Sequence, residues 1–201
     1  MKLYYAPGAC SQAPHIALRE TGAEITLVKV DLAAKKTEDG ADYRAINSKG
    51  AVPALKLADG SVLTENAAIL QYIADEHSGG ELIPLSGIRR YRLLEWLNYI
   101  ATELHKGFGP LWNPSTPEEQ KESTRKLIGT KFDFVQQGMG EGPFLTGPEF
   151  TIADAYLFVI LNWTRIHGID LQRWPGLAGF VARVGERPSV KAALKAEGLA
   201  G

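Results

Sequence analysis

The stretch Leu3-Tyr4-Tyr5-Ala6-Pro7-Gly8-Ala9-Cys10-Ser11 decides the fold of the first part of the chain and contains its only cysteine. An apolar, aromatic run that is typical of a β-strand stops at Pro7-Gly8, a pair that interrupts regular structure. Apolar spacing then indicates a helix from about Ser11 to Thr21. The sequence therefore places Cys10 where a strand gives way to a helix.

A cysteine in this position is a candidate nucleophile. Unpaired backbone N–H groups and the positive end of the helix dipole lower a thiol pKa from its free value of about 8.5. Because the thiolate is the reactive form, Cys10 is a candidate catalytic residue. A small buried cysteine that only fills space is an equal alternative at this point.

Composition narrows the class of protein. The 201 residues are 45% hydrophobic, which allows one large or two modest domains. A net charge of −1, without a dense basic cluster, argues against nucleic acid as a partner. One cysteine allows no internal disulfide and no thiolate metal site, so we expect no metal and a reducing compartment. Since no stretch approaches about 20 apolar residues, we expect no membrane segment and a cytoplasmic location.

The first 77 residues alternate between strand and helix patterns. A strand is predicted at 25–30, a weak helix at 41–46, a hairpin at 54–64 and a helix at 65–76. The resulting order, β-α-β-α-β-β-α, is the thioredoxin-like arrangement. Val52-Pro53 precedes a strand of this unit, where a cis bond would present the Val52 backbone to an extended ligand. A plain turn is the alternative.

The remainder of the chain is predicted to be helical. A turn-rich linker occupies 78–86, and helices are expected at about 88–108, 116–137, 155–167, 175–186 and 189–197. Thr116-Pro117 and Thr151 to Asp154 have the pattern of helix starts. The helix at 155–167 is the most apolar, so Asp154 is expected to satisfy backbone donors rather than to take part in catalysis.

Several motifs in this order resemble one family. They are the opening Lys2 to Ser11, Val52-Pro53, Thr64 to Ile69, Glu95 to Asn98, Glu103 to Phe108 and Thr151 to Asp154. Together they resemble the cytosolic-type glutathione transferases, and within them the bacterial beta class, over the whole chain. The resemblance implies an α/β thioredoxin-like N-terminal domain at 1–77, a linker at 78–86 and an all-α C-terminal domain at 87–201. It also implies a homodimer with a detoxification role.

The resemblance also implies a binding site for glutathione. Val52 would pair with the cysteinyl backbone, Glu65 with the α-amine and Asn66 with the γ-glutamyl carboxylate, while Lys35 would bind the glycyl carboxylate. Lys106 would reach the glycyl region, and Asn98 and Glu103 would contribute across the dimer interface. The full set that we expect to bind glutathione is Ala9, Lys35, Val52, Pro53, Glu65, Asn66, Asn98, Glu103 and Lys106.

Other residues are expected to take part in the reaction. Cys10 would lie at the glutathione sulfur, and His105 would assist proton transfer or stabilise a thiolate. Ser11 is the second candidate for activating the sulfur, ahead of Tyr4 and Tyr5, which lie in the strand. Aromatic and apolar residues would form the electrophile pocket, although core packing explains them almost equally well: Phe108, Leu111, Trp112, Trp163 and His167.

Two positions depart from the family pattern. Position 66 is Asn, where many relatives have Ser or Gly, and position 51 is Ala, where Gln is familiar. Asn66 can still donate a hydrogen bond, whereas Ala51 has no side-chain donor.

The implied function is glutathione S-transferase activity toward small hydrophobic electrophiles, with glutathione as co-substrate and no other cofactor. Two alternatives stay open at this point. Cys10 could form a mixed disulfide with glutathione, which would favour thiol-disulfide reduction or dehalogenation. The protein could also bind glutathione or hydrophobic ligands without catalysis.

Overall fold

The computed structural model describes residues Met1–Leu199. The chain divides into two compact units. The first comprises Met1–Leu85 and the described residues from Glu186 onward, and the second comprises Ser86–Gly185. The boundaries that the sequence suggests, with a linker at 78–86 and one helical domain at 87–201, stay a prediction.

The strands are β1 (Lys2–Tyr5), β2 (Thr26–Asp31), β3 (Lys36–Thr37), β4 (Ala54–Lys56) and β5 (Val62–Thr64). The main helices are α1 (Gln12–Thr21), α2 (Asn66–His77), α3 (Gly87–Tyr99), α4 (Gly109–Trp112), α5 (Glu118–Met139), α6 (Ile152–Ile166), α7 (Pro175–Gly185) and α8 (Pro188–Ala196).

The first unit is built on one mixed sheet with strand order β3-β2-β1-β4-β5. Central strand β1 runs parallel to β2, with Leu3 opposite Leu27, and antiparallel to β4, with Leu3 opposite Leu55. The helix α1 between β1 and β2 supplies the crossover that a parallel pair needs. The predicted α/β thioredoxin-like fold is confirmed for this unit.

The segment between β2 and β4 differs from its prediction. The weak helix predicted at 41–46 is a 3-10 turn at Tyr43–Ala45, and the two-residue strand β3 precedes it. Asp42 accepts a hydrogen bond from the backbone N–H of Arg44, which satisfies the start of the turn locally. The turn is closed after three residues, so the longer helix that was predicted does not form.

All regular elements of the second unit are helical, apart from one isolated β-bridge between Phe144 and Gly147. The helix predicted at 88–108 changes its winding, from α3 through a π-helical turn at Ile100–His105 and a 3-10 turn at Lys106–Phe108. The chain then continues into α4, beyond the end predicted at about residue 108. Pro110 lies in the first turn of α4, where a missing N–H costs nothing.

Of the two predicted helix starts, one is confirmed. Thr151 and Asp154 form a capping box at the start of α6, in which Asp154 accepts from the Thr151 N–H and hydroxyl. The Thr116 cap is wrong: α5 begins at Glu118 after Pro117, so Thr116 lies one residue too early.

Within Met1–Leu199, no helix is both long and apolar enough to cross a membrane. The same residues contain no group of three or more side chains that could hold a metal ion.

Candidate functional site

Cys10 lies at the junction of β1 and α1, as the sequence predicts. Its side chain is 8% exposed, and its thiol donates to the backbone carbonyl of Val52 at 3.3 Å. The two residues are 42 positions apart in the chain, so only the fold brings them together. The contact places the thiol beside the backbone that is expected to pair with an extended ligand.

The adjacent Ser11 is completely buried. Its hydroxyl donates to the carbonyl of Ala6 at 3.3 Å and accepts from the N–H of Ala6 at 3.2 Å. Both bonds close the loop that carries Cys10, which is a structural contribution. A catalytic role for Ser11 stays a prediction.

The Val52-Pro53 peptide bond is cis. The carbonyl of the preceding Ala51 is held from two sides, by the Tyr43 hydroxyl at 2.8 Å and the Asn47 amide at 2.7 Å. Burial raises the pKa of Tyr43 to about 12, so its phenol stays a donor at neutral pH. Sequence patterns gave no sign of either residue's role, because neither belongs to a recognisable motif.

A small apolar cluster packs this loop against the sheet and against Ala9, the residue before Cys10. Buried side chains from the sheet, the 3-10 turn and the cis-proline loop pack together, and Ala9 packs against them. The cluster comprises Tyr4, Ala6, Val30, Tyr43, Val52 and Ala54. It fixes the spacing between the loop before α1 and the loop before β4.

The start of α2 carries a polar group without a partner. Asn66 is 6% exposed, and neither its Oδ1 nor its Nδ2 finds a hydrogen bond within the described chain. The preceding Glu65 has a φ of 73°, a backbone conformation that is unusual for a side chain with a Cβ, and no side chain caps the helix. Unpaired donors at a helix N-terminus favour an anion.

Two lysines flank these groups. Lys49 Nζ lies 2.5 Å from Glu65 Oε1 and 2.8 Å from the Thr64 hydroxyl, a contact that sequence analysis missed because Lys49 and Glu65 are 16 residues apart. Lys35 was predicted to bind a carboxylate, and its Nζ donates to the carbonyl of Gly50 at 2.8 Å. Its ammonium is therefore held close to the cis-proline loop.

Sequence analysis also missed a buried carboxylate that anchors the loop before Cys10. Glu197 Oε2 accepts from the Gly8 N–H at 3.0 Å and from the Gln12 amide at 3.1 Å. Its Oε1 lies 2.8 Å from His15 Nδ1, and both side chains are fully buried. Since Arg19 donates to His15 Nε2, the ring hydrogen is on Nδ1 and points to Glu197.

In the second unit, most of the predicted aromatic residues form one cluster. Trp163 packs edge-on against three rings, with centroid distances of 5.0 Å to His105, 5.6 Å to Phe108 and 5.3 Å to Trp112. The ring centroids of His167 and Trp112 are 4.3 Å apart. Leu111 and Phe108 are buried, whereas Trp112 is 46% exposed and offers an apolar surface.

The two histidines of this cluster have different surroundings. His105 Nδ1 lies 2.6 Å from the Tyr156 hydroxyl. Burial lowers the pKa of His167, and the charge of Arg125 lowers it further.

The other predicted residues of this unit lie on its exposed surface. Asn98 donates to the carbonyl of Leu94, and Lys106 is exposed. Glu103 forms an ion pair with Lys131 at 2.9 Å. Their predicted roles in glutathione binding stay predictions.

Comparison with known proteins agrees with this geometry. The family model described as "Glutathione S-transferase, N-terminal domain" matches residues 8–76, and "Glutathione S-transferase, C-terminal domain" matches residues 99–188. Glutathione S-transferase GstA of Escherichia coli O157:H7 is 52% identical over 200 residues, which cover 99% of this chain and all of the relative.

Two solved structures have the same fold. A sphingomonad glutathione S-transferase complexed with glutathione has a TM-score of 0.95 at 46% identity, and the match covers 99% of this chain and all of that one. The bacterial beta class enzyme of Sphingomonas chungbukensis has the same TM-score, identity and coverage. The resemblance inferred from the sequence motifs is confirmed, and the chain belongs to the glutathione S-transferase family of transferases.

Proposed function

We propose that this transferase conjugates glutathione to small hydrophobic electrophiles, with Cys10 next to the glutathione sulfur. The observation that carries the proposal is the 3.3 Å contact between the Cys10 thiol and the Val52 carbonyl. A cysteinyl residue that pairs with the Val52 backbone, as an added strand does, has its side chain close to this thiol. The glutathione bound in the sphingomonad structure, a relative with the same fold, also supports the proposal.

The start of α2 supports binding of the γ-glutamyl end. Its α-carboxylate would accept from the helix N–H groups and from the buried Asn66 amide, which has no other partner among the described residues. Its α-ammonium would pair with Glu65. The ammonium of Lys35, held beside Gly50, is the proposed partner of the glycyl carboxylate.

The proposed chemistry is nucleophilic substitution or addition. The glutathione thiol loses its proton, the thiolate attacks an electrophilic carbon and a C–S bond forms. With an aryl halide, the halide leaves with the electron pair of its bond. Cys10 and His105 are the proposed catalytic residues, which stabilise the thiolate or help move its proton. The aromatic cluster of the second unit, with Trp112 at its surface, is the proposed electrophile-binding region.

A homodimer in a reducing, cytoplasmic setting is part of the proposal. Large apolar side chains are exposed on α3 and α5, namely Ile88, Tyr91, Leu127 and Phe134. A surface of this kind is typical of a protein interface. Asn98 and Glu103 would act across that interface, and Lys106 in the glycyl region.

The test replaces Cys10 with Ala and, separately, with Ser. We expect Cys10→Ala to lower kcat for conjugation of an aryl chloride at least about 10-fold, since one charge-assisted hydrogen bond to the thiolate is lost. The dissociation constant for glutathione, measured by calorimetry, should change much less. Cys10→Ser should retain part of the activity because the hydroxyl still donates.

Three outcomes would count against the proposal. Full conjugation by Cys10→Ala would contradict the role of Cys10. Disulfide reduction that exceeds conjugation, together with a glutathionyl adduct on Cys10 by mass spectrometry, would favour the reductase alternative. Tight glutathione binding without turnover of any electrophile in a broad panel would favour a binding protein.

A further inference from the structure

The hydrogen bond between His105 and Tyr156 involves a residue, Tyr156, that has no part in the proposed function. Tyr156 lies on α6 and is 1% exposed, and its hydroxyl is 2.6 Å from His105 Nδ1. The two rings meet edge to face, with centroids 5.8 Å apart and planes inclined at 82°. A buried phenol in this position controls one of the two nitrogens of the imidazole.

The chemistry of the two groups gives the direction of the bond. A phenol has a pKa of about 10 and is a stronger hydrogen-bond donor than the N–H of a neutral imidazole. In the neutral state, the Tyr156 O–H therefore donates to Nδ1, and the ring hydrogen is on Nε2. A ring in this tautomer has no unoccupied basic nitrogen, because its lone pair on Nδ1 already accepts from Tyr156.

The surroundings hold this arrangement in place. Trp163, also on α6, packs edge-on against the His105 ring at 5.0 Å. The π-helical turn that ends at His105 widens the helix at this point, a feature that often occurs at functional sites. Lys131 stabilises the turn, since its ammonium contacts both the backbone carbonyl and the carboxylate of Glu103 at 2.9 Å.

We propose that Tyr156 is a positioning residue that keeps His105 in the Nε2–H tautomer, so that His105 is a hydrogen-bond donor and not a base. The inference rests on the proposed function, which assigns His105 to the glutathione sulfur and leaves open whether it takes a proton or stabilises the thiolate. With its ring hydrogen on Nε2, His105 donates to the thiolate and stabilises it, and the proton of the glutathione thiol passes to solvent water.

The direct test is 15N NMR of the enzyme with labelled histidine at about pH 8, above the ordinary histidine pKa of about 6.5. The chain has four histidines, and the spectrum of His105→Gln assigns the signal of His105. We expect a protonated Nε2 and an unprotonated Nδ1 in the wild type. In Tyr156→Phe the donor to Nδ1 is lost, so a mixture of tautomers should appear.

Tyr99→Phe is the matched control, because it removes another phenol of the same unit that packs against Trp96 and Phe134. It should leave the His105 signal unchanged. A protonated Nδ1 in the wild type would overturn the inference, and this measurement does not depend on whether Tyr156→Phe folds. An unchanged tautomer in a folded Tyr156→Phe would overturn it as well.

Kinetics separate this inference from the proposed function. We expect Tyr156→Phe to lower kcat for conjugation about 10-fold with little change in KM for glutathione. The reason is that the His105 N–H stabilises the transition state more than the bound substrate, so its misorientation lowers mainly kcat. If the tautomer changes while kcat does not, the role of Tyr156 is supported and the catalytic role proposed for His105 fails.

Discussion

The starts of helices α2 and α6 face the same physical problem and solve it differently. At α6, the chain closes the helix with its own residues: Asp154 accepts from the Thr151 N–H at 2.8 Å, the Thr151 hydroxyl at 2.7 Å and the Leu145 N–H at 2.8 Å. At α2, no side chain caps the helix, Glu65 has a φ of 73°, and the buried Asn66 amide has no partner in the described chain.

A third helix start lies between these two cases. Among the described residues, no side chain caps the backbone of α8 either, but the side chains at its start are paired with another helix: Glu20 of α1 accepts from the Arg187 guanidinium at 2.6 and 3.0 Å and from the Ser189 hydroxyl at 2.5 Å. Here a tertiary contact satisfies the polar side chains at the helix start and links α8 to α1.

The difference between closed and open helix starts distinguishes residues that stabilise the fold from residues that bind a ligand. A closed start uses its hydrogen-bonding groups within the fold, so it contributes to the free energy of unfolding. An open, buried start with an unpartnered amide costs free energy until a ligand supplies the missing partner. Local rules broken in this way are most often found at functional sites.

The largest effect is expected at the closed start of α6. Asp154→Ala should lower the free energy of unfolding by about 3 kcal/mol, because a cap is lost and buried N–H groups lose their acceptor. Burial raises the pKa of Asp154 to about 6, while the hydrogen bonds it accepts act in the opposite direction. Urea unfolding at pH 7 provides the measurement.

Asp170→Ala is the control for this variant. Asp170 also accepts from a backbone N–H, that of Gln172, but at an exposed 3-10 turn, so we expect a loss of no more than about 1 kcal/mol. Equal losses for the two variants would show that burial of the Asp154 cap is unimportant.

At the open start of α2, Asn66→Ala should affect glutathione binding more than it affects stability. We expect glutathione to bind about 10-fold more weakly, equivalent to about 1.4 kcal/mol, because a donor to its carboxylate is lost. The free energy of unfolding without ligand should change little or increase, since an unsatisfied buried amide is removed. Calorimetric titration with glutathione and urea unfolding measure the two quantities.

Asn162→Ala is a suitable control, because the Asn162 amide donates within its own helix, to the carbonyl of Phe158. Its effect on glutathione affinity should be negligible. The comparison between helix starts would break down if Asn66→Ala destabilised the protein strongly but bound glutathione normally.

The smallest effect concerns α8 and depends on pH. Burial acts to raise the pKa of Glu20, but the hydrogen bonds from Arg187 and Ser189 and the charge of Arg187 outweigh it, so the pKa is lowered. At pH 7 the wild type should be more stable than Glu20→Gln by about 1 kcal/mol. That advantage is present above the unfolded-state pKa of about 4.3 and is lost as the pH falls through the lower folded-state value.

Urea unfolding of both proteins between about pH 7 and pH 3 provides the check. Glu95→Gln removes an exposed partner of Arg92, so its effect on stability should depend far less on pH. A stability difference between wild type and Glu20→Gln that persists undiminished at the lowest pH would contradict the assignment.

Features that depend on neighbouring residues could be predicted from the sequence. The strand at Lys2–Tyr5, the helix after Cys10, the β4–β5 hairpin and the capping box at Thr151 are all fixed by local patterns. The weak helix at 41–46 failed because Asp42 closes a shorter turn there. The Thr116 cap failed because Pro117 has an extended backbone, with a ψ of 147°, and itself precedes the helix, which begins at Glu118.

Contacts between distant residues could not be predicted in this way. Lys49 and Glu65, Glu20 and Arg187, and His105 and Tyr156 are separated by 16, 167 and 51 positions. No periodicity or motif encodes such pairs, because they exist only once the sheet and the helices have packed. The same holds for Glu197, which anchors the Gly8 loop from the far end of the chain.

By itself, the sequence determined the family, the fold class and Cys10 as the residue around which to search, since motifs and local hydrogen bonding depend on adjacent residues. Only the tertiary structure decided what surrounds those residues. It placed the Cys10 thiol against the Val52 carbonyl, left the Asn66 amide buried without a partner in the described chain, and set a phenol on His105. These features depend on distances across the folded chain, which local sequence does not specify.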